Sequence, residues 1–175
     1  MLRGRVRALL IFIAIFAVAP HLLSCDCEKK EESQTQPKTP RIFLVLDRTE
    51  LSIGEILGVS VKVENVEDVF GVAFDLMFSH DAFELAGSRA GEFLNRGQHK
   101  FLSEFQNDDP DRLVVGISEV GSASGVSGDG VVASFELKAK RAGGYSIALD
   151  RAAIKNPELN SIDMKVGKPQ DVQVK

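Results

Sequence analysis

From Arg41 to the end of the chain, apolar side chains recur at every second position and not at every third or fourth. Val59, Val61 and Val63 alternate with polar neighbours, and Val72, Phe74, Leu76 and Phe78 alternate with Ala73, Asp75, Met77 and Ser79. Leu113, Val115 and Ile117 repeat the pattern, as do Val131, Ala133, Phe135, Leu137 and Ala139 against Ser134, Glu136, Lys138 and Lys140. Each run reads as a strand with one face buried, because successive side chains in a strand point to opposite sides. Turn-forming residues separate the runs at Glu50 to Gly54, Asn65 to Asp68, Ser79 to Ala82, Asn107 to Asp111, Ser122 to Gly130 and Gly143-Gly144. Strands at this spacing with little helical periodicity predict an all-β domain, an antiparallel sandwich with jelly-roll topology. One short helical turn is expected around Glu92 to Asn95. Phe74, Phe78, Phe83 and Phe135 are expected to line the core; Phe43, Phe70 and Phe93 are not assigned by the pattern.

The first 40 residues follow a different rule. Arg3, Arg5 and Arg7 precede an apolar run from Ala8 to Ala19, and Leu22-Leu23-Ser24-Cys25 then gives way at once to polar sequence. This order resembles a bacterial lipobox: a basic start held on the cytoplasmic side, an apolar stretch entering the translocon, and a small residue before the cysteine where a peptidase can close. It implies cleavage after residue 24, diacylglyceryl modification of Cys25, and a lipid-anchored protein on the outer side of a bacterial membrane. Two acyl chains, at about 0.8 kcal/mol per buried methylene, would make attachment effectively permanent. An ordinary secretory signal cut elsewhere is the rival. A retained span is the other, although Ala8 to Leu23 contains Pro20 and His21 and falls short of the about 20 apolar residues a bilayer requires. Residues 26 to 40 hold Glu28, Lys29, Lys30, Glu31, Glu32 and two prolines with nothing large and apolar to bury, so they read as a disordered tether. Such a segment would hold the domain about 20 Å from the bilayer on average and at most about 50 Å.

The remaining stretch, 41–175, is of the commonest size for one domain with one core. Loss of the leader removes three arginines and no acid, taking the formal charge from −4 to −7. No basic stripe of the kind that binds phosphate backbones is present, so nucleic acid is excluded as a natural partner. The only cysteines, Cys25 and Cys27, precede the domain and are too close for an easy disulfide, so the domain folds without one.

Several motifs, in order, resemble the cohesin family, the nine-stranded jelly-roll modules that receive dockerins in cellulose-degrading assemblies. They are Ser52-Ile53-Gly54-Glu55 before the valine strand and Asn65-Val66; Phe74-Asp75-Leu76-Met77-Phe78-Ser79-His80-Asp81 and then Phe83-Glu84-Leu85; and Leu113-Val114-Val115-Gly116-Ile117-Ser118-Glu119 with Asp129-Gly130-Val131-Val132-Ala133-Ser134-Phe135-Glu136-Leu137-Lys138. The resemblance spans about residues 42 to 174. It implies that one sheet face, built from the strand of Asp75 and the strand ending at Glu119, packs on a dockerin helix. Asp75 then matches a carboxylate that hydrogen-bonds dockerin hydroxyls, and Glu119 a second acidic contact. Alternation alone agrees that Asp75 points to solvent, out of phase with Phe74 and Leu76, and that Ala73, Met77, Val114, Gly116 and Ser118 share its side. Apolar contacts beside carboxylates suit an amphipathic helix. The chain departs from the family in carrying Ala73 where many members have asparagine, and Gly116 where a bulky apolar contact is common. It has no calcium loop of the dockerin kind, so any metal would belong to the partner.

No catalytic constellation is visible. His21 lies in the leader, and His80 and His99 sit in no metal-ligand or nucleophile motif. Ser79-His80-Asp81 are neighbours on a turn, where each side chain cannot aim at the next as a triad requires. The run Asn107-Asp108-Asp109-Pro110-Asp111 reads as a solvated acidic loop. The chain is therefore expected to be a non-catalytic binding module without cofactor. A carbohydrate-binding module is an alternative of the same architecture, but it would present tryptophans and tyrosines to sugar rings, and this chain has no tryptophan and only Tyr145. An envelope-interaction lipoprotein with a partner other than a dockerin is the third reading.

Overall fold

The computed structural model describes residues 38–96, 100–121 and 124–175. The leader, Cys25, Cys27 and nearly all of the tether lie outside the described residues, as does His99, and so do the side chains of Asn107 and Asp108. What is described belongs to one compact unit, Thr35–Lys175.

The strands are β1 (Arg41–Leu46), β2 (Glu50–Leu51), β3 (Ile56–Val69), β4 (Gly71–Met77), β5 (Phe83–Ala90), β6 (Lys100–Asp109), β7 (Arg112–Val120), β8 (Val126–Ala139), β9 (Gly143–Lys155), β10 (Lys165–Val166) and β11 (Gln170–Val174). They form two sheets, β10-β1-β3-β8-β5 and β2-β11-β9-β4-β7-β6. The predicted all-β sandwich is what the chain adopts. Nine strands are longer and pair antiparallel, while the two-residue β2 and β10 attach in parallel to β11 and β1, so both sheets are mixed. Around Glu92 to Asn95 there is a single turn closed by the Asn95 N–H on the Glu92 carbonyl, and no helix.

The core lies between the sheets, filled by the alternating residues of each. Phe74, Phe78, Phe83 and Phe135 are all buried, and Phe93 joins them, whereas Phe43 and Phe70 are only half-buried. Aromatic edges bind the two layers together: Phe74 on β4 and Phe105 on β6 both meet Phe135 on β8 at 6.3 and 5.9 Å, and Phe83 on β5 meets Tyr145 on β9 at 5.6 Å. Such contacts add about 0.5–1.5 kcal/mol each to the burial of the rings.

Asn65 to Asp68 is not the turn its residues suggest. β3 runs straight through it, with register shifts on either side of Val66 and with Asn65 and Asp68 at φ 54° and 53°. These residue types tolerate left-handed backbone, and here that tolerance makes bulges. The bulges bend the strand so that, one residue after Val69, the chain leaves the first sheet and enters β4 of the second. Likewise the glycine- and serine-rich stretch after Ser122 is strand from Val126 onward, pairing with this bent part of β3. Gly125 makes the corner possible: its N–H donates to Asp68 Oδ1 at 2.9 Å, and a Cβ there would fall 2.4 Å from the Asp68 carbonyl carbon.

Candidate docking surface

The sheet β9-β4-β7-β6 has one face in the core and one outside. Pairing places the outward residues in rows: Ala153, Ala73, Gly116 and Glu104 in one, Asp150, Asp75, Val114 and Gln106 in the next, and Ala148, Met77 and Arg112 in the third. Ala73 is exposed, and Met77, Val114, Gly116 and Ser118 are half-buried on the same side, as their alternation predicted. A side chain at Gly116 would meet nothing within 4 Å, so this position is open floor. The surface is small-residued and shallow, with Met77 and Val114 rising beside it.

Asp75 departs from expectation. It points outward in phase with Ala73 and Met77, yet it is only 4% exposed. Its cover is Arg151 of β9, whose Nε donates to Asp75 Oδ2 at 2.5 Å and whose Nη2 reaches the same oxygen. The Arg151 side chain itself is 57% exposed. A bulge explains how it gets there. Ala73 pairs with Ala153 and Asp75 with Asp150, leaving two residues of β9 opposite the single Phe74. Arg151 takes φ 45° at this point, a left-handed conformation costing about 1–2 kcal/mol for a residue with a Cβ. Regular alternation would have turned Arg151 into the core after Leu149; the bulge returns it to the outer face, while Ala152 fills the inner position.

Glu119 is also a correction. It follows Leu113, Val115 and Ile117 on the inner side of β7 and is 2% exposed, so it does not share a face with Gly116 and Ser118. Among the described residues neither of its carboxylate oxygens has a hydrogen-bond partner. Its backbone N–H donates to the Phe70 carbonyl at 2.9 Å, closing the sheet-switch corner. The family position fits by sequence, but in this chain the carboxylate cannot reach anything docked outside.

Arg151 was missed because no motif marks it. A signal exists nonetheless: the core-facing apolar positions of β9 are Tyr145, Ile147 and Leu149, then Ala152 and Ile154, an odd-to-even slip that only an extra residue can produce. At the other end of β4, His80 Nδ1 lies 2.8 Å from Asp111 Oδ1 and its Nε2 lies 3.3 Å from Asp81. The partner of His80 is thus an aspartate from the facing hairpin, and Ser79 takes no part in a relay with it. The His80 N–H and ring, both bonded to Asp111, hold that carboxyl below its ordinary value near 3.8. Of the acidic loop, Asp109 Oδ1 accepts the Asp111 N–H at 3.1 Å.

The other sheet's outer face has a different character. A hollow of about 660 Å³ there is lined by Lys62, Glu64, Arg89, Glu92, Arg96 and Asp129 among others, a surface of mixed charge suited to water. Tyr145, the one tyrosine, is turned against Phe83 and donates its hydroxyl to the Ala142 carbonyl.

The sequence profile of the family described as "Cohesin domain" matches residues 42–174. Among solved structures, a type II cohesin domain from the cellulosome of Acetivibrio cellulolyticus superposes with a TM-score of 0.67 at 19% identity, over 77% of this chain and 95% of that one. A non-cellulosomal cohesin from the hyperthermophilic archaeon Archaeoglobus fulgidus gives 0.64 at 19%, over 78% and 91%. A type II cohesin–X-dockerin complex from Acetivibrio cellulolyticus, in an N-terminal interface mutant, gives 0.68 at 13%, over 78% and 99%. No curated protein matches the chain.

Proposed function

Since the chain belongs to the cohesin family, whose modules bind other proteins and catalyse nothing, we propose that it is a lipid-anchored receptor that holds a dockerin-bearing protein at the bacterial envelope. The carrying observation is the outer face of β9-β4-β7-β6: Ala73, Met77, Val114, Gly116 and Ser118 form a shallow floor whose central carboxylate is already neutralised by Arg151. At this point the cost of burying the Asp75 carboxylate is already met by its partner in the free protein. The occupant is an amphipathic helix of a calcium-loaded dockerin; the Acetivibrio structure above is a cohesin seated with an X-dockerin, which supports this class of partner. Asp75 serves beneath the contact, and Glu119 is not part of it.

The anchor rests on the leader: three arginines, an apolar run and Leu22-Leu23-Ser24-Cys25. The bound protein would then act on polysaccharide at the cell surface, with this chain touching sugar only through it. Dockerin-bearing proteins of the source bacterium should be retained by the immobilised chain in calcium and released by chelator, and Ala73→Arg should abolish retention. Retention of the chain on insoluble cellulose or chitin without any dockerin would replace this reading with direct sugar binding. Cys25→Ala should move the protein from the membrane to the soluble fraction. A Cys25→Ala protein that stays with membranes would mean an uncleaved span.

A further inference from the structure

Beyond the docking face itself, we infer that Arg151 sets its specificity: it masks Asp75 and presents a guanidinium, so the partner must bring an acidic side chain to this point and not a hydroxyl donor. The inference rests on the docking reading above. Among the described residues Asp75 is the one buried carboxylate of this face, and at 4% exposure an outside hydroxyl cannot reach it while Arg151 lies across it. The guanidinium has five N–H donors in a fixed fork. Asp75 engages the Nε and one Nη, and the side chain remains more than half exposed, leaving donors aimed away from the sheet.

The neighbouring cations do not offer the same opportunity. Arg112, one row away, is only 32% exposed and its Nε is buried with no hydrogen-bond partner, 4.0 Å from Asp109, so no carboxylate orients its fork, and Lys155, at the far edge, donates its Nζ to Ser161 Oγ at 2.7 Å. Arg151 stands between the Ala153-Ala73 row and the row of Asp75 and the exposed Asp150, where the alanines keep the floor low enough for another chain to approach closely. The backbone supports the assignment. A bulge with a non-glycine residue at φ 45° is what brings this side chain to the outside, and a merely solvated surface charge needs no such conformation. A planar fork already held on one side by a carboxylate is preorganised to receive a second carboxylate on the other.

The test is selection from a displayed library of calcium-loaded dockerin modules whose helix surface positions are randomised, against the full-length chain and its Arg151→Met and Arg151→Lys variants. Wild type should enrich Asp or Glu at one helix position. Those binders should lose about 10-fold or more in affinity against Arg151→Met and less against Arg151→Lys, which keeps charge but not the fork. Arg151→Met should instead enrich Ser, Thr or Lys, which can reach the unmasked Asp75. Circular dichroism verifies that each variant is folded; should Arg151→Met fail, the wild-type consensus and Arg151→Lys decide the matter. Hydroxyl donors enriched by wild type, or one consensus for all three proteins, would overturn the assignment while leaving the docking face intact. Absence of any binder in every arm would overturn the docking reading and this inference with it.

Discussion

The two outer faces of this sandwich are built by the same kind of strand, share one core, and have opposite characters. On β1-β3-β8-β5 the outward positions carry Lys62, Glu64, Glu84, Arg89, Glu136 and Lys138, with Glu64 tied to Arg41. On β9-β4-β7-β6 the middle of the face carries alanine, glycine, methionine, valine and the Asp75–Arg151 pair, with Glu104, Gln106, Arg112 and Asp150 around it. Solvent keeps the first face: each charge there gains more from water than a docked chain could return. The second face can be covered cheaply. The difference lies in what alternates with the core residues, since the inner faces of both sheets are apolar apart from Glu119 on β7.

The largest effect expected is one that does not respect the comparison. Phe135→Ala removes the ring that both Phe74 and Phe105 contact across the core, so it should cost about 3–5 kcal/mol in chemical denaturation and damage both faces together. Second, Ala73→Arg should weaken capture of a dockerin recovered by pull-down at least about 100-fold, as a charge and bulk at an interface centre would. Ser134→Arg, on the other sheet, should leave titration calorimetry unchanged; equal losses at both sites would break the distinction between the faces. Third, Asp75→Ala should lower stability by about 1–2 kcal/mol, modest because the freed Arg151 can turn to solvent. An unchanged melting temperature would show the ion pair to be as dispensable as an exposed one.

Fourth, acid should act at the His80 turn. The Asp111 pKa is depressed in the folded chain, so its contribution is complete above the ordinary carboxylate value near 3.8 and disappears as pH falls through the lower folded value. The stability gap between wild type and Asp111→Asn, followed by melting temperature, should therefore close as pH falls below about 4. The smallest effect is expected at Gly116→Val. The added side chain meets open space, so stability should rise by up to about 1 kcal/mol from strand propensity, and any change in capture reports on contact alone.

Much of this was legible in the residues. Alternation in β3, β4, β7 and β8 placed the core except at Val131, where a bulge turns Val132 inward in its stead, and it put Ala73, Met77, Val114, Gly116 and Ser118 on one outward side. Glu119 could have been read better, since Leu113, Val115 and Ile117 carry the buried phase straight to it. Asp75 was placed on the right side but in the wrong environment, because its cover comes from a residue 76 positions away.

The amino-acid order by itself determined which side of each strand faces the core, because period-two patterning leaves no other way to bury the apolar residues. It also marked, through turn-forming residues at Asn65, Asp68 and Gly125, where the chain could bend. Only tertiary structure decided that those bends are bulges carrying one strand into the other sheet, and that a bulge in β9 lays Arg151 over Asp75. The physical reason is that a bulge is defined by a mismatch with its partner strand: which residues lie opposite one another is a property of the paired sheet and of no single segment.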